Sequence, residues 1–335
     1  MAGLRRLFLT FSISLITAVS LSALDNPIEK YLSVQLTPQF EIANGKITEY
    51  VFDPLCKNTD NKLSELDWNL KTIALFNINA DFDVIRYISV GLSGTFGVPQ
   101  RSDFMQDSDW ENSITEDWLN DDPKERTAFS EHINHLDKYI DFKASLGGNI
   151  YLPLEIKLSP HAGYKYEYIK MSGSKGYGEY KQAANLTSKK NWEKDWEGTI
   201  ISYEQEINSF FLGLSVKSNT IPRTSINLNF DISPMLNSLN AIDSHYTRYI
   251  IFWDAFKNVV MIESKGSLQY CFSKNHSAGI SGRLEYIPIS KGNTSLKYMD
   301  KKGNPKGDSW IPSTPNGGGT ERFIWSLGLN YSFSL

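Results

Sequence analysis

The sequence predicts an all-β fold, a ten-stranded antiparallel transmembrane β-barrel with long extracellular loops. Three observations predict it. Apolar and polar residues trade places with period two in segment after segment. Short turns alternate with long polar connections, the asymmetry of an outer-membrane barrel. The last segment, Arg322–Leu335, sets Leu327, Leu329, Tyr331, Phe333 and Leu335 on one face, up to its final residue. Such a face needs covering in water, whereas a barrel in lipid requires it.

The elements follow in order. Arg5 and Arg6 precede an apolar run from Leu7 to Val19 and the small residues Ser20, Ser22 and Ala23. This is the order of a secretory signal peptide, expected at 1–23 with cleavage after Ala23. Residues 24–335 then form one barrel domain. Alternation marks strands in Tyr31–Phe40, Ile73–Val84, Ile88–Phe96, Lys143–Tyr151, Phe210–Val216, Thr224–Ile232 and Ser277–Pro288. Short turns are expected at Phe82–Arg86, Leu152–Glu155, Ser218–Arg223 and Ser273–His276. Long loops are expected near 45–62, 102–132, 173–197, 237–249 and 293–320. Five loops and four turns make ten strands. The chain is long for strands that need roughly 10 residues to cross a bilayer, so they should project beyond it.

Composition excludes several classes. The 335 residues are 41% apolar and 13% aromatic, too rich for a disordered chain. A formal net charge of −4 lacks the basic footprint of a nucleic-acid binder. Two Cys rule out a disulfide-stapled scaffold, and no Cys/His cluster suggests a metal. Cys56 falls in the first loop and Cys271 at a short-turn end, too far apart to pair, so two free thiols are expected. Beyond the N-terminus no apolar run reaches about 18 residues, which argues against transmembrane helices but not against a barrel.

Two acidic pairs stand at loop positions. Asp107 and Asp109 are two apart and share a face of an extended chain. Together they would hold a proton or a polarised water, because like charges resist joint ionisation. Asp243 and His245 likewise share a face, the arrangement in which a carboxylate orients an imidazole base. Each pair alone has the composition of a solvated turn, but a barrel mouth gathers its loops. His132, His135, His161 and His276 lack paired acids and read as surface or turn histidines. Trp192 and Trp196 read as loop packing.

With these residues the chain resembles the omptins, ten-stranded outer-membrane endoproteases that cleave near basic residues. Leu63-Ser64-Glu65-Leu66-Asp67-Trp68, Met105-Gln106-Asp107-Ser108-Asp109-Trp110 and Asp243-Ser244-His245-Tyr246 carry the resemblance. Ser202-Tyr203, Gln205, Lys291-Gly292-Asn293-Thr294-Ser295-Leu296 and Asn316-Gly317-Gly318-Gly319 extend it from about Leu32 to the end. The resemblance implies an aspartic-type endopeptidase without cofactor or metal. A water between His245 and the carboxylate pair would attack the peptide, with His245 as base and Asp243 orienting it. Asp107 and Asp109 would position the water and the developing oxyanion. It also implies that Glu49 lies at the floor of the pocket for the basic residue before the cleaved bond.

Two departures are visible. Ala241 stands where the family has a second pocket acid, which implies a weaker basic preference. Tyr166, Tyr168 and Glu206 replace residues of the family's lipid A clamp, which argues against the usual lipopolysaccharide dependence. Tyr164, Tyr166 and Tyr168 suit an aromatic girdle instead. The expected partners are therefore polypeptide substrates and outer-membrane lipid, with no nucleic acid. The protein is expected to be a monomer in the cell outer membrane, its site facing outward. The alternative is a catalytically inactive barrel that acts as a surface adhesin or receptor.

Overall fold

The computed structural model describes residues 32–52, 62–110, 126–183, 186–235, 238–307, 309–312 and 314–335. The segment expected as a signal peptide and Cys56 lie outside them. Sixteen strands occur among the described residues: β1 Ser33–Phe52, β2 Lys62–Ile85, β3 Ile88–Gly97, β4 Gln100–Asp109, β5 Ala128–Gly148, β6 Ile150–Leu152, β7 Ile156–Ala183 and β8 Leu186–Asn191 come first. They are followed by β9 Thr199–Ser218, β10 Thr224–Ser233, β11 Ser238–His245, β12 Ile250–Phe256, β13 Met261–Cys271, β14 His276–Tyr298, β15 Ile311–Pro312 and β16 Gly318–Ser334.

Three barrel strands are interrupted: β3 continues as β4, β10 as β11, and β12 as β13. Pro99 and Pro234 sit in the first two gaps, where a missing N–H breaks the ladder. Counting each pair once, and setting aside the short β6, β8 and β15, gives ten antiparallel strands. They close into a ring, because β16 pairs both β1 and β14 while β14 pairs both β12 and β13. Three of the four short turns fall where expected, and the first, expected at Phe82–Arg86, lies at 86–87 because β2 continues to Ile85.

The long connections are a correction. Glu49, Asp107, Asp109, Asp243 and His245 all lie in strands, not loops, and the expected loop at 237–249 shrinks to a turn at 246–249. Near the mouth the outward face meets water, so both faces can be polar and the alternation fades while the ladder continues. β7 runs for 28 residues and β2 for 24, far more than a membrane crossing needs.

Three layers stack along the interior. In the short-turn half the pattern is inside out. Phe76, Ile78, Phe142, Leu146, Leu212, Leu327 and Leu329 are exposed outside, whereas a buried ionic network fills the lumen. Lys165 Nζ lies 2.5 Å from Glu285, 2.8 Å from Glu167 and 3.2 Å from Glu263. Arg283 reaches Asp141 at 3.0 Å, and Arg322 reaches Glu285 at 2.9 Å. Charges so buried persist only when each is paired. Above the network comes an apolar floor of Ile47, Trp68, Leu70, Met105, Leu136, Ile169, Met171, Ile207, Leu239 and Ile287. The third layer, two to six residues further along the same strands, holds Asp107 with Asp109 and Asp243 with His245. Cys271 is a free thiol beside a short turn.

Candidate active site

The third layer is assembled by register. On β4, Asp107 pairs with Leu66 of β2 on one side and Ser130 of β5 on the other. Asp107 is buried, and Ser64 Oγ donates to its Oδ1 at 3.2 Å. Asp109 is on the same face one pleat higher. Across the mouth, β11 pairs Asp243 with Tyr203 and His245 with Ile201 of β9. His245 Nε2–H donates to Asp243 Oδ2 at 2.5 Å, and the edge of the imidazole meets Phe252 at 5.7 Å between ring centroids. Asp107 and His245 line one cleft of about 430 Å³, together with Ser130, His132, Tyr180, Trp192, Ile201 and Arg248.

The electrostatics of the cleft separate its carboxylates. Burial raises the Asp107 carboxyl, Asp109 raises it further, and His245 and Arg248 pull the other way. The result is about 7. Such a group carries a proton in much of the neutral range and can donate it in a hydrogen bond. Arg248 lies 4.0 Å from Asp109. Burial works against its charge, yet Asp107 and Asp109 outweigh that and hold it above its ordinary value.

Glu49 is only 2% exposed, and its Oε2 has no hydrogen-bond partner among the described residues. Burial holds its carboxyl well above the usual range, and Asp243, Asp254 and Asp107 add to this as like charges. The five residues singled out from the sequence thus come together at one end of the barrel.

Sequence reasoning missed several others. His132 is a correction: it is buried rather than superficial, with Nδ1 2.6 Å from the Lys175 carbonyl and Nε2 3.1 Å from Ser130 Oγ. Burial lowers its basicity. Trp192 packs near its ring and lines the cleft, so it does more than loop packing. His161 is likewise no surface residue: it bonds Asp231 Oδ1 at 2.8 Å in the lumen. Arg248 sits in the turn after the Asp-His pair. An Arg three residues beyond a base on a tight hairpin is the signal that could have found it. Among the described residues no group of three or more His, Cys, Asp or Glu is arranged to hold a metal ion.

The model of the Omptin family matches residues 31–333. The outer membrane protease IcsP of Shigella flexneri is 28% identical over 301 residues, covering 87% of each chain. The plasminogen activator of Yersinia pestis is 23% identical over 291 residues, covering 87% of this chain and 86% of its own. Protease 7 of Escherichia coli K12 is 25% identical over 298 residues, covering 87% of both. The crystal structure of the outer membrane protease OmpT from Escherichia coli superposes with a TM-score of 0.74 at 19% identity. That match spans 90% of this chain and 97% of the other, and it shows the shared fold.

Proposed function

The chain belongs to the omptin family of outer-membrane proteases, and we propose that it is an endopeptidase of aspartic type in which an Asp-His pair and an Asp pair activate one water between them. The observation that carries this is that Asp107 and His245, one member of each pair, line a single cleft, with the Asp107 carboxyl raised to about 7.

The division of labour follows from which group can give and which can take a proton. His245 is held by Asp243 through one ring nitrogen, so the other is left to take a proton from water. Asp243 stabilises the imidazolium that results. Asp107, in its neutral form, donates to the oxyanion as the peptide carbonyl becomes tetrahedral. Asp109, 4.0 Å from Arg248, raises the affinity of Asp107 for that proton. The imidazolium then protonates the departing amine, and no covalent intermediate forms.

Basic specificity is part of the proposal, with Glu49 as pocket acid. So are an export signal at 1–23 ahead of a barrel at 24–335, a monomer, and a mouth facing outward. The replaced lipid clamp supports activity without the usual lipopolysaccharide contacts. Lys170 of the outer wall already pairs Glu204 at 2.6 Å, and Tyr168 donates to the same carboxylate at 2.5 Å.

The test is refolded full-length protein in lipid, incubated with a peptide library, wild type against His245→Ala. Cleavage by the wild type alone is expected. If neither cleaves in any lipid, the protein is a binding barrel, an adhesin or receptor.

A further inference from the structure

The pocket acid that Ala241 omits has a replacement one strand away. β11 and β12 form a tight hairpin whose register sets Ala241 directly opposite Asp254. Asp254 is buried at 4% exposure, and Thr294 Oγ1 donates to its Oδ1 at 2.6 Å. Its carboxylate occupies the place where a Cβ on Gly318 would stand, 2.4 Å away. Gly318 lies two residues before Thr320 on β16, so both are on one face. Thr320 is the cross-strand partner of Glu49. The two carboxylates therefore share one stretch of inner wall, Asp254 over Gly318 and Glu49 beside Thr320.

A second observation concerns charge. Among the described residues neither Glu49 nor Asp254 has an ion pair with Lys or Arg, and Glu49 keeps one buried oxygen without a partner. Buried carboxylates without a cation are costly, and the ionic network below the floor shows how this chain satisfies them elsewhere. Burial and Asp243 push the Asp254 carboxyl up to about 7. An arriving guanidinium or ammonium would ionise both acids and supply the missing countercharge.

We propose that Asp254 is the second carboxylate of the pocket for a basic substrate side chain, provided from β12 in place of the acid absent at Ala241. It rests on the protease reading above. Two acids around one guanidinium offer bidentate acceptors from two sides, so preference for Arg or Lys is strong in this chain despite Ala241. A substrate with a neutral isostere leaves both carboxylates buried and unpaired, and it is rejected for that reason.

The test uses two peptides identical except for Arg or citrulline before the cleaved bond, with the refolded full chain. Asp254→Asn should lower the Arg-to-citrulline ratio of kcat/KM by about 10- to 100-fold, mostly through KM, the scale of one lost charged hydrogen bond. Inhibition by agmatine should weaken by a similar factor. Asp254→Ala should lose the ratio too, and combining it with Ala241→Asp should restore much of it, which a merely structural Asp254 would not allow. An unchanged ratio and agmatine affinity in Asp254→Asn would overturn the assignment. If Asp254→Ala does not fold, the isosteric Asn variant decides alone. Failure of the protease reading is told apart by the wild type, which would then cleave neither peptide.

Discussion

Replacing Asp109 by Asn should move the alkaline limb of the pH–rate profile toward acid by about one pH unit. Activity needs His245 as the base and Asp107 protonated. It falls on the alkaline side as Asp107 ionises near 7. Asp107 and Asp109 are two residues apart on one strand face, about 6.6 Å by strand rise. At an effective dielectric of 20, two unit charges at that distance repel by about 2.5 kcal/mol, or about 1.8 pH units. That is a ceiling, because Arg248 at 4.0 Å offsets part of the Asp109 charge and burial is the larger cause of the raised value. Asp107→Asn makes the opposite prediction. A carboxamide donates at every pH, so the alkaline limb should vanish although the maximal rate drops. The assay is kcat/KM across pH 5–9 with one unionisable-tail peptide, read for the position of the limb rather than its height. A limb that stays put in Asp109→Asn, or persists in Asp107→Asn, refutes the role given to Asp107.

The remaining predictions concern the base, the pocket floor and the lumen. His245→Ala and Asp243→Asn should each lose roughly 10²–10⁴-fold in kcat with the folded barrel retained, as checked by single-turnover peptide cleavage and circular dichroism. Gly318→Ala sets a methyl 2.4 Å from the Asp254 carboxylate. It should displace that group and raise KM for Arg peptides several-fold, measurable against a citrulline peptide. Lys165→Met removes one of the two cations, Lys165 and Arg283, that Glu285, Glu167 and Glu263 share. It should destabilise the barrel by about 3–5 kcal/mol in urea unfolding from detergent micelles. A midpoint equal to wild type would mean that the network is not as dry as it looks.

Sequence alone determined what repeats locally. Period two and turn residues such as Pro153 and Pro222 placed the membrane half of most strands, though not of β7 or β13, because lipid outside and a polar lumen inside impose alternation. Short motifs around Asp107, Asp109, Asp243 and His245 named the pairs, since residues two apart on any extended strand share a face. Tertiary structure decided the rest. Near the mouth water replaces lipid, alternation fades, and residues around Glu49 and Asp243 look like loop until the ladder is seen to continue. Asp254 depended on turn length: only a hairpin turning at 246–249 sets it opposite Ala241, and a longer loop would have put another residue there. Three partners of Lys165, namely Asp141, Glu263 and Glu285, lie on three other strands, and the titration of Asp107 depends on how deeply β2 and β5 bury it. Those properties belong to ring closure, where residues more than a hundred positions apart become neighbours by register, and no local pattern encodes which ones.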